Sequence, residues 1–114
     1  MKLIPYKVYT GSENMQIDSD LLDSAIAHLD KEPVLRIYGW SPRCVSLGRN
    51  QNGDFLEDEV DSVRRLTGGR ALLHDDELTY SCVIPINKIP EGESITKSYK
   101  YISGILIDFF NGNY

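Results

Sequence analysis

The chain has 114 residues and a mass of 12.9 kDa, the size of one domain at most, which excludes a multi-domain reading. Apolar residues make up 41 % and charged residues 25 %, the material of a packed globule and not of a disordered tail. Seventeen acids against twelve bases give a net charge of -5 and a pI near 4.9, which argues against a nucleic-acid partner.

Lys2 to Tyr9 alternates as a strand, and Thr10-Gly11-Ser12 breaks it. A helix is predicted next, with Met15, Leu21, Leu22, Ala25, Ile26 and Leu29 on the face that packs on a sheet, Asp18, Asp20, Asp23 and Asp30 mainly elsewhere, and Pro33 as the stop. His28 falls on the solvent side or at the cap. Val34 to Tyr38 and Cys44 to Leu47 read as two strands joined by the turn Gly39-Trp40-Ser41-Pro42.

Between Asn50 and Ser62 the pattern weakens, and Phe55, Leu56 and Val60 anchor one or two helical turns whose acidic residues Glu57, Asp58, Glu59 and Asp61 face solvent. Val63 to Leu66 and Ala71 to His74 are extended segments around the turn Thr67-Gly68-Gly69. Leu78 to Ile86 is a further strand, with Leu78, Tyr80, Cys82 and Ile84 on one face and Pro85 marking an edge or an end. After the loop NKIPEGES, Ser94 caps a second helix carrying Ile95, Tyr99, Ile102, Leu106 and Phe109 on its apolar face, and Asn111-Gly112-Asn113 stops it. The order implies an α/β (α+β) fold, with a mixed, largely antiparallel sheet and helices packed on it.

No apolar run is long enough to cross a bilayer, and Met1 to Thr10 lacks a signal-peptide core, so a cytoplasmic chain with no membrane partner is expected. Cys44 and Cys82 sit in separate apolar runs with no ligand spacing, which points to buried strand residues and to neither a disulfide nor a metal site. All six arginines, Arg36, Arg43, Arg49, Arg64, Arg65 and Arg70, fall in the middle of the chain, and all six lysines lie outside that window. Guanidinium groups suit bidentate contact with phosphate or carboxylate, so the clustering suggests a local anionic site.

The densest unusual segment is Arg64-Arg65-Leu66-Thr67-Gly68-Gly69-Arg70-Ala71-Leu72-Leu73-His74-Asp75. Paired glycines let backbone amides approach a ligand and form an anion nest, Arg65 and Arg70 supply charge, and Leu72 and Leu73 offer an apolar wall. On spacing alone the same run also reads as an ordinary hairpin with exposed arginines. It is neither a P-loop nor a dinucleotide fingerprint. Trp40 is either a wall of an acyl pocket or a core plug, and of the trio Asp75, Asp76 and Glu77 only Asp75 is expected to turn toward a site.

The run RRLTGGRALLHDDELTYS from Arg64 to Ser81 resembles the signature of the lipoate–protein ligase A and octanoyltransferase family, whose catalytic domain is shared with biotin protein ligases. NMQIDSDLL from Asn14, the hairpin-like YGWSPRCVSLGRNQN from Tyr38 and the helix SYKYISGILIDFF resemble further family segments in the same order. The resemblance implies that residues 1–114 form the N-terminal part of one biotin/lipoate ligase-like catalytic domain. It implies an acyl or adenylate site on Arg65, Gly68, Gly69, Arg70, Ala71, Leu72, Leu73 and His74, with Trp40, Arg49 and Asp75 as further pocket residues and no metal ligand.

The implied reaction moves a lipoyl or octanoyl group to a lysine of a lipoyl carrier domain, of a 2-oxoacid dehydrogenase complex or the glycine cleavage H protein. A ligase would use Mg and ATP and pass through lipoyl-AMP, whereas an octanoyltransferase would take octanoate from an acyl carrier protein. Arg70, where typical ligases carry a third glycine, and HDDELTYS after it resemble the octanoyltransferases. The resemblance places the ligase's lysine or the transferase's cysteine in a downstream half outside this sequence, so no catalytic residue is expected here, and either a C-terminal partner chain or self-association is. A third possibility is a non-catalytic half that binds a partner or a carrier domain.

Overall fold

The computed structural model describes residues 1–28, 32–90, 92 and 94–112. Strand β1 spans Lys2–Tyr9 and helix α1 spans Gly11–Ala27. The helix begins earlier than the apolar periodicity suggests because Thr10 and Glu13 form a capping box. The Thr10 hydroxyl accepts from the Glu13 amide and the Glu13 carboxylate accepts from the Thr10 amide, each at 3.2 Å. His28 closes the helix as an exposed cap, and the expected helix positions Leu29 and Asp30 lie outside the described residues.

Strands β2, Val34–Trp40, and β3, Cys44–Leu47, follow, then β4, Ser62–Arg64, β5, Leu72–His74, and β6, Thr79–Val83. A short 3-10 turn at Ile86–Lys88 leads to helix α2, Ile95–Phe110, whose N-cap is Ser94 as expected. Of the loop before it, Glu91 and Glu93 are outside the described residues, as is Asn113 at the helix stop. The acidic stretch between Asn50 and Ser62 forms no helix: two tight turns, closed by the Leu56 amide on Gly53 and the Val60 amide on Glu57, carry it. With Phe55 60 % exposed, the stretch has no packed apolar face to hold a helix.

The strands form two three-stranded mixed sheets, not one. In the first, ordered β1-β2-β6, β1 runs parallel to β2 and β2 antiparallel to β6. In the second, ordered β4-β3-β5, β3 is parallel to β4 and antiparallel to β5. The segments β2 and β3 are not a hairpin, since the chain crosses from one sheet to the other at Ser41–Arg43. Nor do the segments around Gly68 and Gly69 pair with each other: β3 lies between them, so the glycine loop passes over the end of β3.

Helix α1 packs on β2 and β6, and its first turn reaches the second sheet. A Cβ at Gly11 would stand 2.6 Å from Cys44 Sγ, which is why a glycine occupies that turn. The expected apolar stripe is not what the helix buries: Gly11 and Asn14 are buried, whereas Ile26 is 65 % exposed. Asn14 Nδ2 donates to the Gly39 carbonyl at 3.0 Å, and the buried Arg36 donates to Asn14 and, at 2.8 Å, to Asp18. Asp18 also accepts from Tyr38 at 3.0 Å and from Ser81 at 2.8 Å. Burial first, then the Asp18 charge, holds the Tyr38 hydroxyl well above its ordinary pKa.

The polar face of β6, and not its apolar face, meets helix α1 and the core. Thr79 and Ser81 face inward, and Leu78 and Tyr80, at 53 % and 45 % exposed, face out. Cys82 shares that outward face and is half-buried, whereas Cys44 is buried as expected, and burial raises both thiol pKa values. Tyr38, Trp40 and Cys44 form the core where the two sheets meet, with Met15 and Val63 against them. On α2, Ile105 is buried, but Ile95 and Tyr99, expected on the packed face, are 75 % and 70 % exposed. No helix among the described residues is long and apolar enough to cross a membrane.

Candidate functional site

Arg49, Arg65, Gly68, Gly69 and Arg70 gather at the end of the second sheet. Arg65 follows β4, and its amide donates to Leu47 at 2.8 Å, which ties the start of the glycine loop to the end of β3. From the other side, the Arg49 amide donates to Thr67 at 2.8 Å. Gly48 comes so close that a Cβ there would stand 2.0 Å from the Gly69 carbonyl oxygen. The loops holding Arg49 and Gly68-Gly69 therefore touch through backbone alone.

Two arginines act on these loops from within. Arg64 Nη1 donates to the carbonyls of Gly48, at 2.9 Å, and Gln51, at 2.7 Å. Arg65 Nη1 donates to the carbonyl and hydroxyl of Ser46, at 2.8 and 2.6 Å, and Nη2 to the carbonyls of Gly68 and Arg70, at 3.0 and 2.8 Å. The terminal nitrogens of Arg65 are thus spent on the chain itself. Arg36 is likewise consumed in the core. Among the arginines expected to mark an anionic site, Arg49 and Arg70 are exposed beside the loop and not engaged as Arg64 is, and Arg43 is exposed just before β3.

Gly69 has φ +93, a conformation that side chains rarely adopt, and a Cβ at Gly68 would meet nothing within 4 Å. The amides of Thr67, Gly68 and Gly69 have no acceptor among the described residues. Leu72 and Leu73, 55 % and 61 % exposed, and the half-buried Ala71 lie directly after the loop. The two loops therefore bring together open amides, an apolar ledge and the guanidinium groups of Arg49 and Arg70, for which no partner is found among the described residues. Two shallow clefts of about 240 and 230 Å³ flank the first sheet, lined by residues such as Leu21 and Val34 or Tyr9 and Ile17, and neither includes the loop.

His74 does not face this opening. It is 6 % exposed and stacked on Trp40, with centroids 4.0 Å apart. Its Nε2 lies 2.7 Å from Ser46 Oγ and its Nδ1 lies 3.1 Å from Glu77. Glu77 also accepts from Thr79 at 2.8 Å and from the Asp75 amide at 3.3 Å, and Trp40 Nε1 donates to Thr79 at 2.9 Å. Trp40 is thus the core plug of its two alternatives. Of the acidic trio Glu77 turns inward, and Asp75 stays exposed. Partial burial pushes the Glu77 pKa up, but bonds from His74 and Thr79, the His74 charge and the Asp75 amide together hold it below the ordinary value. Sequence reasoning missed Ser46, Glu77 and Thr79. Their only sequence signal is a polar residue where strand alternation expects an apolar one, as at Ser46 between Val45 and Leu47.

A mixed α/β fold with an open glycine loop at a sheet end narrows the class of protein, and comparison with known families specifies it. Residues 10–113 match the model of the lipoyl protein ligase A/B catalytic domain, and the chain belongs to that family. It is 41 % identical to octanoyltransferase LipM of Clostridioides difficile over 96 % of this chain and 43 % of that protein. To the LipM proteins of Carboxydothermus hydrogenoformans and Bacillus subtilis it is 42 % and 39 % identical, over 96 % and 86 % of this chain and 44 % and 38 % of theirs. A solved structure from T. acidophilum, provisionally described as a lipoate protein ligase, superposes with TM-score 0.50 at 28 % identity, covering 73 % of this chain and 37 % of that one. The chain spans about two-fifths of the length of the curated relatives it matches.

Proposed function

We propose that this chain carries the acyl-binding part of an octanoyltransferase catalytic domain, one that moves an octanoyl group from a carrier thioester to a lysine amine of a lipoyl carrier domain. The observation that carries the reading is the glycine loop. Its unpartnered amides suit a carbonyl oxygen that gains negative charge as the thioester is attacked. Leu72 and Leu73 suit an alkyl chain, and Arg49 and Arg70 suit the anionic groups of an acyl carrier. In the net reaction the lysine nitrogen bonds to the acyl carbon, the carbon–sulfur bond breaks, and the sulfur leaves as a thiol with the proton lost by nitrogen. No nucleophile is assigned to this chain, since burial raises the pKa of both thiols, Cys44 and Cys82.

Transfer without ATP is favoured over activation as lipoyl-AMP because the relatives at 39 to 42 % identity are octanoyltransferases. Arg70 after the paired glycines is also the feature by which the sequence resembles octanoyltransferases more than ligases. The test supplies the remaining part of the C. difficile relative, as a fusion or a separate polypeptide, with octanoyl acyl carrier protein and a lipoyl domain, and follows the domain's mass. Octanoylation without ATP is expected. Acylation only from a free acid with Mg and ATP would establish the ligase route, and no acylation under either condition would leave a binding half that performs no chemistry.

A further inference from the structure

We infer that His74 is a positioning residue: held by Glu77, it acts through Ser46 on Arg65, and Arg65 aims the amides of the glycine loop outward. The donor order follows from the partners. A carboxylate only accepts, so the hydrogen of neutral His74 sits on Nδ1 toward Glu77, and Nε2 is left as an acceptor. Ser46 Oγ already receives the Arg65 Nη1 hydrogen, and it is fully buried, so its own hydrogen goes to His74 Nε2. The line Arg65 to Ser46 to His74 to Glu77 therefore has one direction, and each link satisfies the next.

The far end of the line determines the loop. Arg65 Nη2 draws the carbonyls of Gly68 and Arg70 toward itself. In a trans peptide the N–H points opposite to the C=O, so the amides of Gly69 and Ala71 are turned away from Arg65. Gly69 tolerates that orientation through its φ of +93. With Ser46, His74 and Glu77 arranged like a nucleophilic triad, the alternative would be a catalytic serine. Ser46 is 0 % exposed and its oxygen is bonded to Arg65, which excludes it as an attacking group and leaves the positioning role.

Protonating His74 reverses the link. Both ring nitrogens then donate, Ser46 Oγ receives two donors, and its hydrogen is left buried without an acceptor. The charged and titratable groups around the ring are Glu77 at Nδ1, the Arg65 guanidinium one hydroxyl beyond Nε2, and Tyr38 and Cys44 in the adjoining core, both held neutral by burial. Asp75 and Asp76 flank Glu77 and are exposed.

The inference deepens the proposed function and rests on it only for the ligand; the relay itself is testable without one. The chain holds two histidines, and the exposed His28 serves as an internal reference for His74 in nitrogen-15 NMR of the whole chain. The expected result is that His74, when neutral, carries its hydrogen on Nδ1, and that the Gly69 and Ala71 amide shifts change as His74 is protonated and not as His28 is. Ser46→Ala should keep the Nδ1–H form and abolish that coupling. Should the buried substitution prevent folding, Glu77→Ala at the half-exposed end is the second variant. It removes the acceptor at Nδ1 while Ser46 stays at Nε2, so the ring should lose its fixed position and the Gly69 and Ala71 amides should shift. An Nε2–H ring in the unmodified chain, Gly69 and Ala71 amides that ignore His74, or a Glu77→Ala spectrum in which both are unmoved would overturn the inference. Adding octanoyl-CoA then separates the two readings: a relay that passes with glycine amides blind to the thioester keeps the relay and removes the proposed ligand.

Discussion

Gly68 and Gly69 are adjacent, yet different constraints act on them. Gly69 is required by its own backbone, since φ +93 is the left-handed region, and alanine there is expected to cost about 1–2 kcal/mol in a urea melt. Gly68 has open space where a side chain would go, so Gly68→Ala should leave the melt within about 0.5 kcal/mol of the unmodified chain. The same substitution should weaken the response of the loop amides to an octanoyl thioester, because a Cβ would occupy the approach path. Equal behaviour of the two variants in both measurements would refute this division. Glu77 makes a prediction of another kind. Its pKa is lowered in the folded chain, so its contribution to stability is present above the ordinary glutamate value near 4.3 and is lost as pH falls through the folded value. The stability difference between the unmodified chain and Glu77→Gln should therefore shrink on acidification below about pH 4, and a constant difference down to pH 3 would contradict it.

Helix α1 is attached to the first sheet by ions and hydrogen bonds more than by the apolar stripe that its sequence displays. Asp18 is the acceptor for Arg36, Tyr38 and Ser81 together. Asp18→Ala would leave the Arg36 guanidinium, 1 % exposed, without its counter-charge and should cost about 3–5 kcal/mol. Chemical denaturation of the variant measures this, and a loss near 1 kcal/mol would show that the cation–π contact of Arg36 over Tyr38, at 3.7 Å, suffices instead. These cases also show what could be read from the residues. β1, β3, Ser94 as a cap and the signature segment were legible because alternation, capping and motif order are local. The Thr10-Gly11-Ser12-Glu13 box carried a readable signal that the strand-break reading passed over. The inward face of β6 was not legible, since Thr79 and Ser81 point inward only because Trp40 and Asp18 await them from distant parts of the chain. The insertion of β3 between β4 and β5 was hidden for the same reason. Glycine spacing describes a turn but not which strand the turn passes over.

The first sheet has one face covered by α1 and a second, apolar face that is buried at its centre and partly exposed at its rim. Register puts Leu3, Leu35 and Cys82 on that second face, with Tyr80 beside Ile37 and Tyr6 over Gly39. Leu35 and Ile37 in the central strand are buried, but Leu3, Tyr6 and Tyr80 remain 43 %, 54 % and 45 % exposed. Exposed apolar side chains gathered along such a rim suit a contact surface. The curated relatives are more than twice as long as the part this chain matches, and under the proposed function their remaining part is the polypeptide to test against this rim. Adding that part of the C. difficile relative as a separate polypeptide should raise the apparent stability by about 2.7 kcal/mol at one hundred times its dissociation constant. Tyr80→Glu places a charge on this rim without touching the glycine loop. It should abolish the gain while leaving the melt of the chain alone nearly unchanged, because Tyr80 is exposed there. Thermal melts with and without the added polypeptide measure both effects. A gain that survives Tyr80→Glu would assign the contact to the uncovered side of α2, where Ile95, Tyr99 and Phe110 are exposed, and would leave the sheet rim without that partner.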